Sequence, residues 1–416
     1  MKHAAIVPLI GGMTIAAKNV TGQKPDFIVS WKAFDKNESH LTHYLGPEVP
    51  RYLVDESGFT DDLKARIAGG DVDIVTALCP CAGLSRLNTS RNPLTSGATA
   101  EQNQWMYKSA NLVLEQIRPK VMLGENAPGL VQPRGKGTLD NLKQIAKDHG
   151  YSFSTALTNS MIHGLPQNRL RSFYFFWDSK SAPFIEQAPK VQMKTYREII
   201  DEALASPYNR EHAVRTGAVT YYDPAYRFIL DLHGMDHQKF SSEVVPVDQH
   251  IATIEWVIEN GKYQECMDYI ARTGDGPFNG VKNFSYKVNL AMEKTKRGMG
   301  YYYAGSYIIN PNGRHNTFAG KAVDNIAHPY EDRYLNVREM MCIMRLPLDM
   351  ELLEGRKSVP HIPQSVPVTT GEYFVGQAVK YLNGELPLSG ADYVHQDMIR
   401  HTKSTGEFSG LNSYFA

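Results

Sequence analysis

Val72-Asp73-Ile74-Val75-Thr76-Ala77-Leu78-Cys79-Pro80-Cys81-Ala82-Gly83-Leu84-Ser85 is the stretch on which the reading of this chain turns. Val72 to Leu78 is apolar, short enough for a single strand, and followed closely by Pro80. Such a run reads as a strand buried on both faces. Cys81 follows at its mouth, set by the rigid proline, and leads into a loop carrying Ser85, Arg86, Asn88, Ser90, Arg91 and Asn92. That loop is too polar to bury and is able to grip phosphates. A cysteine without this context is usually a small buried hydrophobe. With it, the thiol is suited to nucleophilic attack.

Two further strand ends follow. Glu125 lies forty-four residues after Cys81, in Val121-Met122-Leu123-Gly124-Glu125-Asn126. Forty-two beyond Glu125 begins Gln167-Asn168-Arg169-Leu170-Arg171. Around them, residues 1 to about 178 alternate strand-like and helix-like segments. The strand candidates are Ala4 to Ile10, Phe27 to Trp31, Tyr52 to Asp55, Val72 to Leu78, Val121 to Gly124, Ser152 to Leu157 and Ser172 to Trp177. The clearest helices run from Ala100 to Ile117, stopped by Pro119, and from Thr138 to His149, stopped by Gly150. This rhythm predicts a doubly wound α/β sheet, with ligands at the carboxyl ends of its strands. From about 178 to 325 the rhythm breaks, and helices return at Asn336 to Leu346 and Gly371 to Asn383.

The bulk numbers narrow the class. A chain of 416 residues with 42% hydrophobic and 21% charged residues reads as soluble and globular, with room for two or three domains. A formal net charge of zero excludes a histone-like basic protein, though not nucleic-acid binding through a local patch. Cys79, Cys81, Cys266 and Cys342 are too scattered for a disulfide framework, and no second ligand pair stands at zinc-finger spacing. A reducing, intracellular setting fits. Lys2-His3 followed by Ala4 to Ala17 could pass for a signal-peptide core. The competing reading is a first strand, Ala4 to Ile10, turning at Gly11-Gly12 into a helix. No run reaches the roughly 18 apolar residues of a membrane span.

The Cys, the Glu and the Arg pair, in this order and each at a strand edge, resemble the DNA cytosine-5 methyltransferases. The family's proline–cysteine motif usually continues with Gln, Asn or another residue, and here continues with Ala82. The resemblance extends to His328-Pro329-Tyr330-Glu331-Asp332-Arg333-Tyr334-Leu335-Asn336-Val337-Arg338-Glu339-Met340. It includes Gln364-Ser365-Val366-Pro367, with Gln where Asn is usual, and in all covers about 330 residues. It implies a class I methyltransferase fold, a Rossmann-like doubly wound sheet with an irregular inserted target-recognition domain. The implied division is 1–178 catalytic, 179–325 target recognition, 326–384 a return to the catalytic domain and 385–416 a peripheral tail. By carry-over Cys81 attacks cytosine carbon 6, Glu125 protonates or hydrogen-bonds N3, and Arg171 binds O2 and holds the thiol. Arg169 would be a supporting phosphate or structural contact, and Asn126 would brace its loop. Carbon 6 is a poor electrophile, so attack needs a thiolate and a way to neutralise charge building on the ring.

The resemblance also implies S-adenosylmethionine as cofactor, along Leu9, Ile10, Gly11, Gly12, Phe34, Asp35, Asp55, Pro80, Ser365 and Val366. Here the pattern departs from the family. Leu9 stands where a glycine is expected, Val7 where a phenylalanine is, and Ala33 where an acid would meet the ribose. Asp55, Asp61 and Asp62 all remain candidates for the acid beside adenine. Expected DNA contacts are Ser85, Arg86, Arg91, Lys294, Lys296 and Arg297. From Asn279 to Lys321 there are seven Lys/Arg against one acid, interleaved with aromatics. Such a run is either a solvated basic face or a surface gripping duplex DNA. The resemblance further implies a monomer without membrane contact, in the cytoplasm of a bacterium or a virus-infected cell. Its role in restriction, regulation or viral protection stays open. A second reading keeps the fold and DNA binding but alters or loses the cofactor pocket. A purely DNA-binding module has no need of the thiol.

Overall fold

A computed structural model describes residues 1–32, 39–55, 57–68, 72–85, 88, 90, 92–189, 191–208, 224–234, 256–257, 259–273, 293, 301–303, 306–309, 312–313, 315–318, 326, 328, 334–353 and 355–392. Seven strands form its main sheet: β1 (His3–Ile6), β2 (Phe27–Trp31), β3 (Arg51–Val54), β4 (Ile74–Leu78), β5 (Val121–Asn126), β6 (Ser152–Asn159) and β7 (Leu170–Trp177). Their order is β3-β2-β1-β4-β5-β7-β6, and only β7 runs against its neighbours. The helices are α1 (Gly12–Thr21), α2 (Ser39–Leu45), α3 (Asp61–Ala68), α4 (Gln104–Gln116) and α5 (Lys136–Asp148). They continue with α6 (Tyr196–Ala205), α7 (Pro224–Leu232), α8 (Tyr263–Thr273), α9 (Val337–Ile343) and α10 (Val368–Leu382). This is the doubly wound α/β sheet expected from the alternation, and it agrees with the class I methyltransferase fold that the resemblance implies.

Period-2 alternation distributes the apolar side chains between the two faces. Met122, Phe153, Tyr174 and Phe176 pack on one face with Met106 and Val113 of α4 and Leu142 of α5. Val121, Leu123, Phe173, Phe175 and Trp177 pack on the other with Phe374, Val375 and Ala378 of α10. With helices on both faces, the strands read as continuous apolar runs.

The element ends differ from expectation for local reasons. β1 stops at Ile6 because Val7 (φ 49) and Leu9 (φ 54) leave the extended region. Residues 101–103 form a tight 3₁₀ turn before α4, so that helix starts at Gln104. α10 begins at Val368, directly after Pro367, which suits a helix start. α9 begins where Asn336 accepts the Glu339 amide and Glu339 answers to the Asn336 amide, a capping box.

The expected boundaries at 178 and 384 run through packed structure. Ser181–Pro183 pairs antiparallel with Leu388–Asp392, so this part of the supposed tail is tied down. Ile199 and Ile200 of α6 share one buried cluster with Ala5, Ile10 and Met340. Ser181–Pro183 and α6 therefore pack with the sheet and the segments around it. No helix among the described residues is long and apolar enough to cross a membrane.

Candidate active site

Strand register brings the expected catalytic residues together. Leu78 of β4 pairs with Glu125 of β5, Glu125 pairs with Phe173 of β7, and Thr158 of β6 pairs with Arg171. Cys81 lies three residues past Leu78, so the thiol, the carboxylate and the guanidinium meet where β4 and β5 end. The Arg171 Nε lies 2.7 Å from Glu125 Oε1, and both side chains are largely buried. Beside Glu125, Gly124 makes room for the Tyr174 ring on the opposite face of the sheet, since a Cβ there would fall 2.2 Å from it.

Burial raises the Cys81 thiol pKa, Arg171 pulls it back down, and Glu125 pushes it up again. Burial also raises the Glu125 carboxyl, against the pull of Arg171 and then Arg169. The site thus holds a carboxyl poised to keep or share a proton, and a thiol that burial raises and the charges beside it bias in opposite directions. Asn126 braces the turn: its Oδ1 accepts the Ala127 amide at 2.9 Å and its Nδ2 reaches the Met106 sulfur.

Arg169 points inward. It is buried, and its Nη2 donates to the carbonyls of Pro363 and Ser365, each at 2.8 Å. Burial, and then Arg171, bring its pKa down to about 9. Of its two expected roles, this geometry is that of a structural contact. Ser365 Oγ in turn accepts the Gly12 amide at 3.1 Å. Arg169, Ser365 and Gly12 therefore link the cytosine-side motif to the turn after β1.

That turn is a cradle in part. Gly11 (φ 102) needs the freedom of glycine, and a Cβ on Gly12 would lie 2.0 Å from the Val366 carbonyl. Ile10 is buried below, and Leu9 holds a left-handed φ that normally favours glycine. These residues fit the methionine end of S-adenosylmethionine, at the amino end of α1. Asp55, one candidate for the acid beside adenine, is already engaged. Its Oδ2 accepts Lys32 Nζ at 2.6 Å, while Oδ1 accepts the Ser57 amide and hydroxyl. Lys32 and then Ser57 hold that carboxyl well below the usual range. Asp55 therefore stitches the ends of β2 and β3 together, and meeting adenine would require it to exchange partners. Asp61 and Asp62 sit in the first turn of α3, where acids suit the helix dipole.

Ser85 lies directly after the 3₁₀ turn Ala82–Leu84. Phe34, Asp35, Ala33, Arg86, Arg91, Lys294, Lys296 and Arg297 lie outside the described residues. The sequence reading missed three contacts. The Lys32–Asp55 pair is one. A second is Trp31, whose Nε1 donates to Ser109 Oγ at 2.9 Å while its ring meets Trp105. The third is Arg134, which binds the loop after Cys81. Two tryptophans at a strand end and a helix start are a visible signal of local packing. Nothing local marks Arg134.

Comparison with known proteins gives the family and the fold. Residues 10–380 match the family model of C-5 cytosine-specific DNA methylases. The chain belongs to that family. It is 30% identical over 122 residues to the type II methyltransferase M.AgeI of Thalassovita gelatinovora, a match spanning 29% of this chain and 26% of that protein. The chain thus spans about a quarter of that curated relative's length. Two solved structures share the fold. A prophage-encoded E. coli protein named as a DNA modification methyltransferase superposes with a TM-score of 0.55 at 14% identity, covering 92% of this chain and 99% of its own. Spodoptera frugiperda DNMT2 gives 0.51 at 15% identity, covering 91% and 100%.

Proposed function

We propose that this protein methylates carbon 5 of cytosine in duplex DNA. The observation that carries the reading is the Glu125–Arg171 pair at 2.7 Å, acting with Arg169 on the Cys81 thiol. A cytosine inside a duplex hides its carbon 6 from any thiol, so the base must leave the stack to react.

Cys81, as thiolate, adds to carbon 6 of the flipped base. Glu125 supplies a proton or hydrogen bond at N3, drawing off the charge that addition puts on the ring. Arg171 keeps Glu125 oriented and favours the thiolate, and by the resemblance it would also bind the base oxygen O2. S-adenosylmethionine, held along Leu9 to Gly12, Pro80, Ser365 and Val366, would supply the methyl group. Once carbon 5 is methylated, a base takes its proton, the Cys81 thiolate leaves carbon 6 and Glu125 takes back the N3 proton, which restores the aromatic ring. The basic, aromatic-rich stretch from Asn279 to Lys321 suits one-sided contact with DNA, alongside Ser85, Arg86 and Arg91.

The second reading, a DNA-binding protein with an altered donor pocket, is favoured by Leu9 and Ala33 in the sequence and by the engaged Asp55. Incubating the protein with DNA and labelled S-adenosylmethionine, then mapping methylated positions, separates the two. Label at cytosine carbon 5 supports methylation. DNA binding with no label from any donor concentration sinks it.

A further inference from the structure

We infer that Arg134 is a positioning residue for the reaction: it locks the loop that follows Cys81 onto the segment that follows Glu125. The inference rests on the proposed methylation, since it concerns how Cys81 and Glu125 are kept in register.

Arg134 lies on the 3₁₀ turn Pro133–Gly135, which succeeds β5 and the turn Pro128–Val131. Its guanidinium leaves that segment and crosses to the nucleophile loop. Nη1 donates to the Ser85 carbonyl at 3.1 Å, and Nη2 donates to the Gly83 carbonyl at 3.2 Å and to Ser96 Oγ at 2.9 Å. These acceptors are the two sides of a neck. Gly97 donates its amide to the Gly83 carbonyl at 2.8 Å, closing residues 83 to 97 into one excursion. Arg134 thus holds the entry of the excursion (Gly83, Ser85) and its exit (Ser96) at once. Only a planar fork with several donors does this from one side chain.

The backbones beneath are fitted as closely. A Cβ on Gly129 would fall 2.1 Å from the Leu84 carbonyl, and one on Gly135 would fall 2.1 Å from the Gly129 carbonyl. The segment after Glu125 therefore lies directly against the residues after Cys81. Asn103 supports the exit from the far side, donating to the Gly97 and Ala98 carbonyls. Within the loop, Asn88 joins the Ala82 and Thr95 carbonyls. The neck starts two residues after Cys81, so its geometry is transmitted to the thiol across a very short lever. In the sequence, Ser85, Arg86 and Arg91 lie between the two sides of that neck.

Three variants test this: Arg134→Ala, Arg134→Gln and Arg134→Lys, each checked for an unchanged melting profile. Two measurements are made. Amide hydrogen exchange of the peptide spanning 83–98 is followed in the free protein, and single-turnover methyl transfer is followed at saturating donor and saturating DNA. Arg134→Ala and Arg134→Gln should speed exchange in that peptide at least tenfold. They should slow the transfer step about tenfold or more, leaving donor affinity unchanged. Arg134→Lys, with one point-like donor group, should recover only part of both. Faster exchange with an undiminished transfer rate would overturn the positioning role and leave a merely structural arginine. Unchanged exchange in a folded Arg134→Ala would overturn the lock itself. If the unmodified protein transfers no methyl group, the proposed function falls. In that case the exchange arm alone decides whether Arg134 locks the neck.

Discussion

Arg171 reaches across from β7 to set its Nε 2.7 Å from Glu125 Oε1 on β5, and this one pair biases the Cys81 thiol in two opposite directions. The guanidinium favours the thiolate, whereas the carboxylate opposes it. Only the thiolate reacts with an alkylating agent, and raising the thiol pKa lowers the thiolate fraction at neutral pH. Removing each partner should therefore move Cys81 labelling in opposite senses. With iodoacetamide and peptide mass spectrometry, Arg171→Gln should move the labelling profile to higher pH and slow labelling at pH 7.5. Glu125→Gln should move it to lower pH and speed labelling. While the thiol is mostly protonated, raising or lowering its pKa by one changes the thiolate fraction roughly tenfold. Two changes of the same sign would show that access, not charge, controls this thiol.

The nucleophile assignment has its own chemical test. A duplex carrying 5-fluorocytosine at the target site should trap the protein covalently when the donor is present, because fluorine cannot leave as a proton does. The adduct should map to Cys81, and Cys81→Ser should abolish it. Cys79 is the internal control, since burial pushes its thiol up to about 12 and its side chain faces Ser109. Trapping at Cys79, or full activity in Cys81→Ala, ends the mechanism.

Much of this was legible in the chain because its chemistry follows strand ends. An apolar run followed by Pro80-Cys81 announces both a strand and what stands at its mouth. The alternation of Phe173, Phe175 and Trp177 with Tyr174 and Phe176 fixes which residues face which layer. The Glu125–Arg171 pairing was only half legible. Its residues are visible, but the register that joins β5 to β7 is a long-range fact. Arg134 was illegible for a stronger reason. Its partners are two carbonyls and a hydroxyl up to 51 residues away, and any sequence supplies carbonyls. Likewise, Lys32 reads as a solvated lysine until β3 brings Asp55 beside it.

The basic, aromatic-rich stretch from Asn279 to Lys321 is proposed to contact DNA. Replacing Lys294, Lys296 and Arg297 with Ala should weaken binding to all duplexes alike. The plot of log affinity against log salt should lose a slope of about 3, one unit for each phosphate contact released. Donor binding in the absence of DNA should stay as it was. An unaltered salt slope would make these residues an ordinary solvated face.

His163 gives a stability prediction independent of activity. It is buried between Tyr373 and Phe374, its Nε2 lies 2.8 Å from Thr158 Oγ1, and burial lowers its pKa from 6.5 to about 4. The folded state therefore prefers the neutral ring, while the unfolded chain takes up a proton near pH 6.5. Between those values the unfolded chain binds more protons, so stability falls as pH falls. About 2 kcal/mol should be gone at pH 5 from this residue alone, on linkage arithmetic. Urea unfolding at pH 7.5 and pH 5 should show a smaller difference in His163→Gln than in the unmodified chain. Equal pH dependence in both would place the charge uptake elsewhere.

The donor pocket yields the last prediction. Leu9 holds φ 54, a left-handed backbone that a family glycine would take without strain and that is costly for leucine. In the sequence, Ala33 stands where the resemblance leads one to expect a ribose acid, and Asp55, the candidate for the acid beside adenine, is engaged by Lys32 and Ser57. Losing a hydrogen bond to a charged partner weakens binding by about 1–3 kcal/mol, or roughly tenfold per 1.4 kcal/mol. Calorimetry on the free protein should therefore find S-adenosylmethionine bound weakly, in roughly the high-micromolar range on that arithmetic. Ala33→Glu should tighten it by returning an acceptor for the ribose hydroxyls. Leu9→Gly should tighten it separately, by relieving the strained turn and letting backbone approach the methionine end. Lys32→Ala should free Asp55, and combined with Ala33→Glu it shows whether the two acids act on the same ligand. Tight binding by the unmodified chain would mean that another group already meets the ribose, and that Ala33 is not its counterpart. No binding even with cognate DNA would turn the second reading, a methyltransferase fold with an altered donor pocket, into the better one.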